Sequence, residues 1–217
     1  MNKHIAIEEA IGHIKDGMTI MVGGFLGVGS PHQVIDALVK KGTKDLTLIV
    51  NDTCFPDYGV GKLIVNKQIK KVITSHIGTN KETGRQMQEG EIEVVLVPQG
   101  TLAERVRAGG AGLGGILTRT GVGTLVEDGK RKIEIDGKEY LLELPLRADV
   151  ALIGGSKVDK KGNVYYKKST INFNPAMATA ADVVIVEAEE LVEVGEIDPN
   201  EVMTPNIFVD YIVGGEE

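Results

Sequence analysis

The sequence predicts an α/β fold: one open, mostly parallel sheet covered by helices, with a small antiparallel β insertion. Two patterns carry this expectation. Short apolar runs at 19–22, 46–50, 72–75 and 94–97 are separated by helical stretches near 31–41, 60–66 and 81–88, as in parallel strands buried on both faces. Between 126 and 144, Asp128-Gly129 and Asp136-Gly137 instead sit among the alternating Ile133, Ile135, Tyr140 and Leu142, the signature of antiparallel hairpins. With 217 residues, 42% hydrophobic and 25% charged, the chain can bury a core without disulfides or metal. No linker-like segment or internal repeat interrupts it, so residues 1–217 read as one domain with the insertion at about 126–144.

In chain order, the first strand stops at Gly23-Gly24-Phe25-Leu26-Gly27-Val28-Gly29, and Ser30-Pro31 opens a helix with Val34, Ile35, Leu38 and Val39 on one face. Ser30 reads as its N-cap, Pro31 as a first-turn residue needing no amide, and Gly42 as its end. Beyond the strand at 94–97, residues 101–108 read as a helix. The chain then enters Gly109-Gly110-Ala111-Gly112-Leu113-Gly114-Gly115 and Thr120-Gly121-Val122-Gly123-Thr124, where periodicity ceases. Past the insertion, strands are expected at 150–153, at 164–166 after the turn Lys161-Gly162-Asn163, at 183–187 and at 207–212, with a helix near 175–181.

Charge and composition exclude several classes. The net charge is -7, and residues 169–217 carry eleven Asp/Glu and no Lys/Arg, leaving +4 for residues 1–168. An acidic chain is a poor nucleic-acid binder, because phosphate backbones demand a basic face. The acidic stretch reads as a solvated face, or as a docking surface for a basic partner. No apolar run approaches the roughly 20 residues of a membrane span, and Met-Asn-Lys-His-Ile at the start has no secretory character. Cys54 alone cannot form an internal disulfide, and no Cys/His pattern has zinc-site spacing. A reducing, cytoplasmic compartment without a bound metal is expected.

Glycine is the outlier, at 28 of 217 residues against a usual share of about 7%. The loop at 23–29, between a strand and a helix start, would aim free amides and the positive end of a helix dipole at an anion, either phosphate or a polarised carbonyl. A tight turn using positive φ is the alternative. Gly110, Gly112 and Gly115 spell G-x-G-x-x-G, but follow a helical pattern rather than a strand, so a glycine loop lining a pocket or interface fits better than a dinucleotide fingerprint. No G-x-S-x-G, partnered cysteine or apolar-set lysine appears. Cys54 reads as a small buried residue, His32 and His76 as capping or surface histidines, and Glu187, Glu189, Glu190 and Glu193 as a solvated edge. The chain offers a ligand cradle without an evident nucleophile.

The segment Asp16-Gly17-Met18-Thr19-Ile20-Met21-Val22-Gly23-Gly24-Phe25, followed after three residues by Gly29-Ser30-Pro31, resembles the first signature of the family I coenzyme A transferases. Val97-Pro98-Gln99-Gly100-Thr101-Leu102-Ala103-Glu104-Arg105, Arg107-Ala108-Gly109-Gly110-Ala111-Gly112, Thr120-Gly121-Val122-Gly123-Thr124 and Asn172-Phe173-Asn174-Pro175 are similar to it too. The likeness runs from about Asp16 to Val213. It is strongest to the A (α) subunits of the acetate or butyrate:acetoacetate type, through 110–115 and Leu141-Leu142-Glu143-Leu144-Pro145-Leu146-Arg147-Ala148-Asp149.

The resemblance implies a fold of the CoA-transferase and phosphosugar isomerase-like kind and a divided active site. The family's catalytic glutamate lies in a Ser-Glu-Asn-Gly motif of a β subunit, a motif this sequence lacks. It implies an α2β2 heterotetramer, a coenzyme A thioester as substrate rather than a permanent cofactor, and short-chain acids as acceptors. By the same analogy Gln99 donates its side-chain amide to the oxyanion, residues 23–29 (Gly23, Gly24, Phe25, Leu26, Gly27, Val28, Gly29) bind coenzyme A, and Gly110, Ala111 and Gly112 line the acyl pocket. A phosphosugar isomerase-like enzyme acting alone, or a non-catalytic sensing module, are the other readings. One departure stands out: where relatives commonly have Thr-Pro-Gly, this chain has Thr204-Pro205-Asn206, and Asn is expected to keep a left-handed turn available.

Overall fold

The structure is a computed structural model and describes residues 3–215. Met1, Asn2, Glu216 and Glu217, the last two belonging to the acidic stretch, lie outside the described residues. The main sheet contains β1 (Thr19–Val22), β2 (Leu46–Val50), β3 (Ile69–Thr74), β4 (Glu93–Leu96), β8 (Ala148–Asp159), β10 (Ala181–Val192) and β11 (Tyr211–Gly214) in the order β11-β10-β8-β1-β2-β3-β4. All neighbours in this path are parallel; short β9 (Val164–Tyr165) pairs antiparallel with β8.

Alternate residues of each strand feed two separate cores. Ile20, Val22, Leu48, Val50, Val150 and Leu152 face α1 (Ile7–Gly12), α2 (His32–Lys41) and α3 (Gly61–Val65), while Met21, Ile49, Ala151 and Ile153 face α5 (Gln99–Gly110) and α6 (Asn174–Thr179). This two-sided burial explains why the strands are near-continuous apolar runs. Helix α4 (Lys81–Gln88) begins at Asn80, whose side chain accepts the Glu82 and Thr83 amides. Gly42 ends α2 at φ 72°, its amide reaching the Leu38 and Val39 carbonyls, as expected of a left-handed helix terminator.

The insertion is a three-stranded antiparallel sheet, β5 (Ile116–Thr118), β7 (Lys138–Glu143) and β6 (Lys132–Ile135), in the order β5-β7-β6. It starts at 116, ahead of the expected 126, because β5 is only three residues long and lies between glycine clusters that mask it. Asp136-Gly137 forms the hairpin tip, with φ of 50° and 69°. Asp128-Gly129 does not: it follows a single 3-10 turn, and its Glu127 carbonyl to Lys130 amide bond of 2.9 Å closes an ordinary β-turn. Buried Glu143 ties this sheet to α5 by pairing with Lys130 and Arg105.

Two further expectations change. Residues 206–208 form a 3-10 turn, and the last strand begins only at Tyr211. Asn206 has no positive φ; its amide and side chain both donate to Asn163 Oδ1, at 3.0 and 3.1 Å, which fixes the turn without a left-handed residue.

Candidate active site

Strand order reverses between β1 and β8: β2, β3 and β4 step away on one side, β10 and β11 on the other. Crevices at the carboxyl ends of strands flanking such a reversal are where open α/β sheets bind ligands. The segment 23–29 leaves β1 there. Phe25 and Val28 exchange backbone hydrogen bonds of 3.1 and 2.9 Å, and Leu26 (φ 47°) and Gly27 (φ 82°) form the tip between them. The segment after β2 repeats this shape, with a bridge from Phe55 to Tyr58 preceded by Cys54 at φ 55°. The two turns lie side by side and expose Phe25, Val28, Phe55 and Tyr58 by 41–51%.

Each glycine of the first turn is required by a neighbour in the same chain. A Cβ on Gly23 would fall 1.8 Å from Asn174 Oδ1, on Gly24 2.0 Å from Ser30 Oγ, on Gly27 2.2 Å from the Tyr58 ring, and on Gly29 2.6 Å from the Thr170 carbonyl. Asn172 and Asn174 clamp the turn. Asn172 accepts from Gly24 N at 3.1 Å and donates to the Val28 carbonyl at 2.9 Å; Asn174, fully buried, donates to the Gly29 carbonyl at 3.0 Å and accepts from Gly154 N at 3.2 Å. The sequence displayed Asn172-Phe173-Asn174-Pro175 as a motif without disclosing this task.

The amides of Gly23, Gly24, Phe25, Leu26 and Val28 go respectively to Leu152, Asn172, Val28, Asp52 and Phe25. Among the described residues, no acceptor meets the amides of Gly27 or Gly29.

The start of α2 differs from expectation. Ser30 is not its N-cap: Ser30 Oγ donates back to the Gly23 carbonyl at 2.9 Å, and the helix begins at His32 with Pro31 before it. Its N-terminal charge is met by Glu187, which accepts Val34 N at 2.8 Å. Glu187 is therefore half-buried against a helix start rather than on a solvated edge, and burial pushes its carboxyl above the ordinary value, more than the Val34 and Gln33 amides pull it down. His32 bonds the Gly27 carbonyl at 2.9 Å, and its ring lies 4.6 Å from that of Tyr58. The cavity between this helix start and β8, lined by Ser30, His32, Ser156, Thr170 and Glu187, is about 120 Å³, too small for a coenzyme-sized ligand.

Gln99 is the first residue of α5, separated from the carboxyl end of β4 only by Val97 and Pro98. Its Nε2 donates to Asn51 Oδ1; Asn51 Nδ2 donates to Asp52 Oδ2 at 2.7 Å, and the same oxygen takes the Leu26 amide at 2.9 Å. The chain of bonds joins Gln99 to the turn at 25–28, and leaves the second hydrogen of its amide uncommitted. Sequence reading found both ends of this chain and missed its middle, because Asn51-Asp52 belongs to no local motif.

Gly110, Ala111 and Gly112 are not brought to this cluster. Gly109 and Gly110 are the last turn of α5, where Cβ atoms would fall 1.9 Å from the Leu146 carbonyl and 2.0 Å from Thr179 Oγ1. They let α5 approach α6 and the start of β8. The helix carries them about 16 Å from Gln99, eleven rises of roughly 1.5 Å, toward the residues that precede β8 and β10. Cys54 is buried, and burial raises its thiol to about 11, which suits a packing role. Among the described residues no group of His, Cys, Asp or Glu has the arrangement of a metal site, and no helix is long and apolar enough to cross a membrane.

Fold and site together define an α/β enzyme chain that gathers backbone and side-chain amide donors at the switch point of a parallel sheet. Residues 4–215 match the family model described as Coenzyme A transferase, and the chain belongs to that family. It is 56% identical over 215 residues to the acetate CoA-transferase subunit alpha of Escherichia coli K12, covering 99% of this chain and 98% of that one. It is 58% identical over 212 residues to the acetoacetyl-CoA:acetate/butyrate CoA transferase alpha subunit of Clostridium acetobutylicum, covering 98% and 97%. Among solved structures, an acyl-CoA transferase from Escherichia coli O157:H7, in a thioester complex with CoA, superposes with a TM-score of 0.88 at 23% identity. That match covers 98% of this chain and 47% of the other, so this chain spans about half of it. Glutaconate coenzyme A-transferase from Acidaminococcus fermentans gives 0.87 at 20% identity, covering 97% and 75%; both likenesses concern the fold.

Proposed function

We propose that this chain is the α subunit of a short-chain acyl-CoA:carboxylate CoA-transferase, completed by a β subunit in a cytoplasmic α2β2 assembly. What carries the proposal is the pairing of an oriented amide donor, Gln99, with the clamped turn at 23–29, in a chain more than half identical to the α subunits of acetate and acetoacetyl-CoA transferases. Coenzyme A enters as a thioester substrate, and no metal takes part.

In this proposal the β subunit's glutamate attacks the thioester carbonyl; the C–S bond breaks, thiolate leaves and an acyl-glutamyl anhydride forms. The thiolate returns to the glutamyl carbonyl, releasing the first acid and leaving a glutamyl-CoA thioester. The acceptor carboxylate and the thiolate then repeat the exchange in reverse. Every step passes through a tetrahedral oxyanion, and the free N–H of Gln99 donates to it, together with a donor from the β subunit. The uncommitted amide of Gly29 serves the coenzyme, while Gly110 packs the end of α5 against Thr179 and the exposed Ala111 and Gly112 beyond it line the acyl pocket.

The test is co-expression with a β subunit containing Ser-Glu-Asn-Gly and assay of CoA transfer from acetoacetyl-CoA to acetate or butyrate. Transfer is expected from the complex and not from the isolated chain. Robust turnover by the isolated chain, free of host transferase, would refute the divided site, and the mass of the complex tests α2β2.

A further inference from the structure

We propose that Asp52 is a positioning residue: it decides which end of the Gln99 amide faces the reacting carbonyl. This rests on Gln99 acting as the oxyanion donor. Asp52 is 4% exposed. Three donors converge on its two oxygens: Asn51 Nδ2 at 2.7 Å and Leu26 N at 2.9 Å on Oδ2, and Cys54 N at 2.8 Å on Oδ1. The carboxylate therefore accepts and does not give.

That polarity propagates. A primary amide carries donors at one end and an acceptor at the other, and a half-turn about its last bond exchanges them. Since Asp52 accepts only, Asn51 must present its NH2 end to it and its Oδ1 to Gln99. Gln99 in turn must present Nε2 to Asn51. One of its hydrogens is then used and the other remains for the oxyanion. Reversed, Gln99 would put a carbonyl oxygen where negative charge develops.

The direction cannot drift, because Asp52 is itself held by peptide groups. Leu26 N belongs to the turn after β1, and Cys54 N to the matching segment after β2. Neither can rotate independently of its turn. The Asn51 backbone is fixed as well: its carbonyl accepts Thr74 Oγ1 at 3.0 Å, Ser75 Oγ at 2.7 Å and Ser75 N at 3.1 Å. Asp52 thus ties the glycine turn and the amide donor into one rigid unit, although it touches neither substrate.

The experiment is a double-mutant cycle in the assembled α–β enzyme, with folding of each variant checked by thermal melting. Asp52→Asn is expected to lower kcat by about 10-fold to 100-fold, the scale of a small misplacement, with KM for acyl-CoA within about twofold. In a Gln99→Ala background the same substitution should change kcat by less than about twofold, since there is no amide left to orient. Asn51→Ala cuts the relay without touching either turn, and should reproduce this pattern even where Asp52→Asn fails to assemble. An undiminished kcat in both relay variants, or an equal loss with and without Gln99, overturns the role of Asp52 while leaving Gln99 as the donor. If Gln99→Ala itself costs nothing, the oxyanion reading falls first and this one with it.

Discussion

Glu187 Oε2 accepts the backbone amide of Val34 at 2.8 Å across 153 residues of sequence, so the second strand from one sheet edge supplies the acceptor for a helix near the start of the chain. Burial raises the Glu187 carboxyl above its ordinary value of 4.5. A carboxyl with a raised folded pKa contributes fully below its unfolded value, and that contribution is lost as pH rises through the folded one. The stability advantage of the natural chain over Glu187→Gln should therefore shrink as pH rises from about 4.5 toward neutrality. Melting temperatures of both proteins across that range provide the check, and a difference that is flat or grows with pH would contradict it.

Gly27→Ala is expected to cost about 2–4 kcal/mol, combining a left-handed alanine with a collision against the Tyr58 ring. Adding Tyr58→Ala should recover part of the loss, since the collision disappears and the backbone strain stays. Chemical denaturation of the three proteins measures this; a double variant no more stable than Gly27→Ala would place the cost elsewhere.

Gln99→Ala in the assembled enzyme should lower kcat by about 100-fold to 1000-fold, with acyl-CoA affinity nearly unchanged. Both half-reactions should suffer, because both pass through oxyanions on the same carboxyl. Rapid-quench measurement of each is the test; a loss below about threefold in both would remove Gln99 from the chemistry.

Asn174→Ala should destabilise the chain by about 2–4 kcal/mol, because it strands the half-buried Gly154 amide and the Gly29 and Thr170 carbonyls. Gly23→Ala, intolerable while Asn174 Oδ1 stands 1.8 Å away, should then add little further loss. Additive losses in the double variant would show that the two residues do not share this space.

The central strands were legible because burial on both faces writes itself as runs such as Leu-Thr-Leu-Ile-Val at 46–50, and α4 was placed at 81–88 as observed. Short elements were not: α1 has six residues and β5 three, too few for a period to show. At the site, Gln99 and the glycine turn were visible through their neighbours in sequence. Ser30 misled for a physical reason. A serine before a helix is ordinarily its cap, but here the helix end is served by Glu187, and no local pattern reports a partner 153 residues away. Separations of 148 and 145 residues likewise hid what Asn172 and Asn174 hold, and Asp52 reaches Leu26 across 26 residues with no local pattern to announce it.

The placement of β1 between β2 and β8 has a consequence for the chain while it is being made. Thr19 N reaches Asp149 Oδ2 across 130 residues, and at about 5–20 residues per second the ribosome needs roughly 7–26 s to supply that interval. Until then one flank of β1 is an unpaired apolar edge, open to pairing with other chains. Nascent or truncated chains ending before residue 148 should thus be the aggregation-prone form of this protein, and chaperone occupancy should fall once β8 has emerged.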